Sequence, residues 1–249
     1  MINNCAVVFL IRNDAFWSPY ALESIRGHFP RVILYDTFSS DGSRDVLEHF
    51  ANEYKKDGTE VVLEYFPDMD KRSQLLLRNS MFAEAQRPYV YMLDADEVLS
   101  KESLLALENE FPRFVAADKI YGIVNRTEIC SDLQSAYSPN VYTNHHRVYS
   151  VGRCIARGSH PGEFYEPAQK SSNEYKFSED VTVYHMHNTV RSPLMTENST
   201  PGRIERKSKA TYTPGSIEPI DLFEKLPILK KPIENFIVNP VLAALQRKL

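Results

Sequence analysis

Glycine is scarce in this chain, nine residues in 249, and none of it lies just after the first apolar run. That run, Ala6-Val7-Val8-Phe9-Leu10-Ile11, passes directly into Arg12-Asn13-Asp14-Ala15-Phe16-Trp17. A dinucleotide-binding dehydrogenase or a methyltransferase needs a G-x-G turn at such a place, where backbone closes on a phosphate or sugar. A nucleotidyltransferase, which would otherwise suit an α/β chain with paired acids, normally has a Gly-rich basic loop there. Cysteine is also sparse. Cys5, Cys130 and Cys154 are odd in number and have no paired spacing, so neither a disulfide framework nor a zinc site is expected. A reducing, cytoplasmic setting is the simpler expectation. There is no basic excess: the net charge is −4, which argues against a general nucleic-acid binder. It still leaves room for a local basic pocket. Long apolar runs are missing too. Cys5 to Ile11 is too short for a secretory core or a membrane span, and Met1-Ile2-Asn3-Asn4 carries no positive charge, so no leader and no transmembrane helix are expected.

What is present is a core-forming composition, 43% hydrophobic, in a length that suits one large α/β domain or one domain with an appended piece. The first hundred residues alternate strand and helix signals. Strands are expected over 6–11, 32–35, 60–66 and 89–93. Helices are expected over Pro19 to Phe29, with Leu22, Ile25 and Phe29 on one face, and over 43–54 and 73–85. Such alternation implies a mostly parallel sheet flanked by helices, whose ligands bind beyond the carboxyl ends of the strands. That rule selects three polar segments: Arg12-Asn13-Asp14, Asp36 to Ser43, and Asp94 to Glu97. The second half is less regular. A helix is expected over 101–111 and strands over 119–124 and 181–187, with long polar loops between. From Ile217 onward, Pro219, Pro227, Pro232 and Pro240 break the tail into short helical pieces. Leu242, Leu245 and Leu249 would cover an apolar surface.

The sharpest motif is Tyr91-Met92-Leu93-Asp94-Ala95-Asp96-Glu97. Two carboxylates one residue apart at a strand end can share a hard cation such as Mg²⁺ or Mn²⁺ and bridge it to diphosphate oxygens. Taken alone, the same residues also suit a solvated acidic turn before a helix. Asp36-Thr37-Phe38-Ser39-Ser40-Asp41-Gly42-Ser43 follows the second strand. Asp36 can accept hydrogen bonds from a base or ribose, and Asp41-Gly42-Ser43 has turn and N-cap chemistry. His185 and His187 share one face of a late strand by period-two geometry, as metal ligands or as a hydrogen-bonded surface pair. His145-His146-Arg147 reads either as cleft lining or as surface.

These segments, in this order, resemble the GT-A glycosyltransferases, in particular family 2-like and family 92-like members. Those carry K/R-N-E-A after the first strand, D-x-x-S-x-D-G-S/T after the second, and L-D-x-D-E later. Here the matching residues are Arg12-Asn13-Asp14-Ala15, Asp36 to Ser43, and Leu93-Asp94-Ala95-Asp96-Glu97. The resemblance covers residues 5–100 well and the rest loosely, and Thr37 stands where the family often has an acid. It implies a GT-A domain over 1–215, with a nucleotide-sugar half (1–100) and an acceptor and metal half (101–215), followed by the tail at 216–249.

The activity implied is metal-assisted transfer of a hexose from a nucleotide-diphosphate donor to a hydroxyl of a glycan or lipid-linked acceptor, with inversion. By this resemblance Asp36 contacts the base and Asp94 the ribose or diphosphate side. Arg12, Asn13, Arg78 and Ala95 belong to the donor site. Asp96 holds Mg²⁺ or Mn²⁺, and His187 or His185 completes the shell, His187 being nearer the strand end. Gly158-Ser159-His160-Pro161-Gly162-Glu163 is similar to an acceptor-side segment, and Glu163 or Glu97 is the candidate general base. Arg191, Arg203, Arg206, Lys207 and Lys209 would fold over the diphosphate, or form a solvated basic face. The alternatives are a nucleotidyltransferase and a catalytically silent nucleotide- or carbohydrate-binding module of the same fold. In the tail, Lys230, Lys231, Arg247 and Lys248 beside Ile233, Phe236, Ile237 and Leu242 suggest a peripheral membrane contact.

Overall fold

The computed structural model describes residues 1–68, 70, 73–137, 145–158, 164–167, 171–194 and 217–249. Glu163 with the rest of 159–163, and Arg203, Arg206, Lys207 and Lys209, lie outside the described residues.

The sheet starts from β1 (Cys5–Ile11), β2 (Arg31–Thr37), β3 (Glu60–Phe66) and β4 (Tyr89–Asp94). These lie in the order β3-β2-β1-β4 and are parallel throughout. The reason β1 is apolar at every position is that both of its faces are covered. Val7, Phe9 and Ile11 face a core shared with Leu34, Leu47 and Phe50. Ala6 and Val8 face a second core with Ile33, Leu75, Met81 and Met92. The helices α1 (Ser18–Ile25), α2 (Ser43–Lys56) and α3 (Ser73–Glu84) supply those covers. Edge strand β3 is half exposed, and its sequence is accordingly more polar. From β1 the chain winds outward to β2 and β3, then returns to the other side of β1 for β4. The crevice at the carboxyl ends of β1 and β4 is therefore a topological switch point. Helix α1 stops four residues short of the expected Phe29, because Arg26 leaves the helical region and Gly27 adopts φ 78°.

Beyond β4 come β5 (Glu97–Leu99), α4 (Lys101–Ala116), β6 (Tyr121–Glu128), β7 (Ser135–Tyr137), β8 (His145–Ser150), β9 (Ile155–Arg157), β10 (Phe164–Glu166), β11 (Glu174–Lys176) and β12 (Thr182–His185). The sheet continues from β4 as β8-β6-β12-β5. Strand β8 is antiparallel to both neighbours, and β6 runs parallel to β12 and β11. Two expectations change here. The polar stretch containing His145, His146 and Arg147 is a central strand, not a loop, because its polar side chains pair with Glu97, Glu174 and Asp94 from neighbouring elements. Helix α4 runs through Pro112 to Ala116, past the expected end at Phe111, and buries Phe114 beside Phe111 and Tyr89. A bulge at Gly122/Ile123 bends β6 against β8. A Cβ at Gly122 would stand 2.7 Å from Phe177 Cε2 and 2.8 Å from Val148 Cβ, so the close approach requires glycine.

Pro227 and Pro240 start short helical pieces of the tail, as expected, but Pro219 closes a strand and not a helix. Strand β13 (Ile217–Pro219) pairs with β7. Helix α5 (Leu222–Lys225), a 3-10 turn at Pro227–Lys230 and helix α6 (Pro240–Gln246) follow. Leu222, Leu226, Leu229 and Leu242 are buried in a third core with Phe16, Trp17 and Tyr20. Leu249, expected on a covered surface, is 73% exposed. No helix among the described residues is long and apolar enough to cross a membrane.

Candidate metal and donor site

The loops after β1 and β2 interlock through side chains. Asn13 N–H donates to Ser39 Oγ at 3.0 Å, and Ser40 N–H to Asn13 Oδ1 at 2.9 Å. Asp14 N–H donates to Ser43 Oγ at 3.0 Å, and Ala15 N–H to Asp41 Oδ2 at 3.1 Å. Asp41 and Ser43 thus fasten one loop to the other as well as starting α2. Asn13 and Phe38 sit at φ 53° and 68°. Asparagine tolerates that region, whereas a 52% exposed phenylalanine there marks a constrained loop. Asp36 is fully buried. Its two oxygens accept from Ser39 N–H at 3.1 Å each, and Oδ2 also from Arg44 Nε at 2.9 Å. Arg44 in turn lies over the Tyr65 ring at 5.3 Å. Arg12 reaches Asp68 at 2.8 Å, and the Arg78 guanidinium touches Met92 Sδ.

At the end of β4 the acids divide. Asp94 lies on the α3 side of the sheet with Met92 and is partly exposed. Arg147 from β8 bridges Asp94, at 2.5 Å, and Glu97. Glu97 has no exposed surface and is held further by His145 Nε2 at 3.1 Å and by Asp94 N–H at 3.2 Å. Glu97, one of the two candidate bases, is therefore enclosed by its ion pair with Arg147 and its hydrogen bond with His145, which join β5 to β8. Ala95 is buried between the acids. Asp96 is buried on the side of β12. Arg191 NH1 touches Asp96 Oδ2 at 2.5 Å, while its Nε and NH2 reach Asp14 at 2.5 and 2.8 Å. Arg191, expected over the diphosphate, thus ties the β1 loop to the end of β4.

His185 Nε2 lies 3.5 Å and His187 Nδ1 3.7 Å from the same Asp96 oxygen. The two rings stack at 5.0 Å, although the strand expected over 181–187 ends at His185 and His187 lies in the turn beyond it. His185 Nδ1 faces Glu128 at 3.0 Å, and Arg126 Nε holds Glu128 at 2.7 Å. Arg126 NH1 continues to the His145 ring at 3.2 Å. One connected network therefore runs from Asp14 through Arg191, Asp96, His185, Glu128, Arg126, His145, Glu97 and Arg147 to Asp94.

The electrostatics follow from burial and pairing. Burial would raise the Asp96 carboxyl, but Arg191 and then His185 outweigh it and hold it well below the usual carboxylate range. Burial would lower His185, but Asp96 and Glu128 push it up to about 9. His145 is driven far down by burial and then by Arg147 and Arg126. Its ring is neutral, donating from Nε2 to Glu97 and accepting from Arg126 at Nδ1.

Two groups among the described residues bring three ligand atoms within 4.8 Å of one another: Asp96, His185 and His187, and Asp94, Glu97 and His145. Arg147 touches both carboxylates of the second group, whereas in the first Arg191 touches the one carboxylate, Asp96, and would have to share it with an ion. The first offers one carboxylate and two imidazole nitrogens, a donor set that suits Mn²⁺ and related first-row ions. His187 keeps 35% of its side chain open to solvent. The residues fit a divalent cation held by Asp96, His185 and His187. Asp14, Glu128 and Arg126 were missed in the sequence. The only signals were the Arg12-Asn13-Asp14 break and the two-residue spacing of Arg126 and Glu128 on one strand.

No family model matches the chain, and no curated protein matches it. Among solved structures it is similar to residues 1–349 of TarS from S. aureus, at 12% identity and TM-score 0.49, over 74% of this chain and 60% of that one. The same 1–349 protein in complex with UDP aligns at 15% identity and TM-score 0.40, over 50% of this chain and 36% of that one. The mannosyltransferase PcManGT from Pyrobaculum calidifontis, in complex with GDP-Man and Mn²⁺, aligns at 12% identity and TM-score 0.49, over 98% of this chain and 69% of that one. The chain thus spans 60% of the length of the first of these structures.

Proposed function

We propose that this chain is a GT-A-type glycosyltransferase that moves a sugar from a nucleotide-diphosphate donor to a hydroxyl of a glycan or lipid-linked acceptor. The observation that carries the reading is the meeting of Asp14, Asp96 and Arg191 beside His185 and His187. The ends of β1, β4 and β12 come together at a switch point, the place where an α/β sheet receives its ligand. In this reading Asp96, His185 and His187 hold Mg²⁺ or Mn²⁺, which supplies charge neutralisation for the leaving diphosphate. Asp94, Ala95, Arg12, Asn13 and Arg78 border the donor. Asp36, already bonded to Ser39 and Arg44, shapes the base end through its loop. A carboxylate takes the acceptor proton, and Glu163 is the candidate for it.

The test is donor turnover, by hydrolysis or transfer, across a panel of nucleotide sugars with Mn²⁺ and with EDTA. We expect activity that EDTA abolishes and that falls at least about 100-fold in Asp96→Ala, the scale of losing a main charge-stabilising group. Full activity in Asp96→Ala would sink the metal assignment. Calorimetric nucleotide binding without turnover across the panel would instead favour the silent binding module.

A further inference from the structure

Glu128 stands outside every motif that pointed to the site, yet it is nearly as buried as Asp96, at 4% and 3% exposure. It is the last residue of β6 and is in register with His185, the last residue of β12, across a parallel pair. The two side chains therefore leave the sheet on the same side. Both Glu128 oxygens lie 3.0 Å from His185 Nδ1. Arg126, two residues earlier on the same face, fixes one of those oxygens at 2.7 Å. A carboxylate held in that way keeps a proton on Nδ1 and directs the opposite nitrogen, Nε2, at Asp96. A buried carboxylate with a second fixed partner also cannot swing away to release the ring.

We infer that Glu128 is a positioning residue for the divalent cation, holding His185 in the tautomer and orientation that present Nε2 beside Asp96 and His187. The inference rests on the metal reading of Asp96, His185 and His187, and deepens it. Carboxylate partners of metal-bound histidines raise the basicity of the ring and restrict its rotation, and removing them weakens metal binding about 10–100-fold. His187 has a different place. It keeps 35% of its side chain open to solvent, against 9% for His185, so the two histidines are unequal: His185 is enclosed and His187 faces the opening. Arg126 extends the arrangement by linking Glu128 to His145.

The experiment measures Mn²⁺ binding to the full chain by electron paramagnetic resonance, in wild type, Asp96→Ala, Glu128→Gln and His187→Ala. Wild type should bind one ion, and Asp96→Ala should lose it. If Asp96→Ala binds as wild type does, the metal reading itself fails. If wild type binds, Asp96→Ala does not, and Glu128→Gln keeps wild-type affinity, then the role of Glu128 alone is overturned. The expected result is an affinity loss of about 10–100-fold in Glu128→Gln.

A second measurement avoids dependence on that variant's folding. In wild type, ring-nitrogen NMR of His185, assigned by its disappearance in His185→Gln, should show Nδ1 protonated. On titration with diamagnetic Mg²⁺, Nε2 should shift while Nδ1 keeps its proton. Loss of the Nδ1 proton, or a response at Nδ1 only, would overturn the inference.

Discussion

Arg147 and Arg191 show how single residues govern this site. Arg147 is buried and Arg191 mostly so, and each joins two carboxylates. Removing one partner of such a pair leaves an uncompensated charge in the interior, which is why the acids after β4 persist there at all. The cysteines illustrate the opposite environment. Cys154 has no charged partner among the described residues, and burial pushes its thiol up to about 12. Burial also raises Cys5 and Cys130. At pH 8 the Cys154 thiolate fraction is then on the order of 10⁻⁴. Alkylation of the native protein by iodoacetamide, followed by intact mass, should be slow at pH 8. It should still climb about tenfold per pH unit between pH 8 and 10. A plateau near pH 9 would show an ordinary, solvated thiol. At this scale the sequence displayed Asp94, Asp96, His185 and His187, because strand ends and period two are written locally. It did not display Glu128, and it offered Arg191 for the diphosphate rather than for Asp96, because their meaning comes from partners 57 and 95 residues away.

Among the elements, β6 carries the most constraint. It pairs with β8 along one edge and successively with β11 and β12 along the other, and it bulges at Gly122. Gly122→Ala would drive a methyl into Phe177 and Val148. Overpacking of this kind costs about 1–3 kcal/mol, and we expect a lower urea midpoint with an unchanged slope. An unshifted midpoint would mean that Phe177 moves aside without cost. The four parallel strands and their helices were legible because each buries continuous or 3.6-periodic apolar runs. Strands β7, β9, β10 and β11 were not, since three residues are too few to show a period. Strand β8 was hidden by its own chemistry: His145, His146 and Arg147 look solvated until Glu97, Glu174 and Asp94 are seen opposite them.

For the molecule as a whole, the tail is part of the core and also presents a surface. Leu222, Leu226, Leu229 and Leu242 are buried, so deleting 217–249 would strip a core rather than test a function. Ile237 and Val241, 60% and 37% exposed, remain outside, in a tail that also carries Lys230, Lys231, Arg247 and Lys248. If this face meets a membrane, the full chain should sediment with anionic but not zwitterionic vesicles, and Arg247→Glu with Lys248→Glu should release it. Each basic residue near an anionic surface contributes about 1 kcal/mol. Equal binding to both vesicle types, or to neither, would exclude an electrostatic contact. The tail also touches the site indirectly. Asn239 donates to the Val190 carbonyl at 2.7 Å, and Trp17 Nε1 donates to the same carbonyl at 3.1 Å and to Thr189 Oγ1 at 2.6 Å. The next residue is Arg191, bound to Asp14 and Asp96. Trp17 is the one tryptophan in the chain, so the protein carries its own optical gauge of this junction. A divalent cation that draws Asp96 away from Arg191 will disturb the indole's hydrogen bonds, and Mg²⁺ should change the intrinsic fluorescence saturably in wild type and not in Asp96→Ala. Emission that stays constant while Mg²⁺ binds would mean that Arg191 and the ion share Asp96 without either giving way.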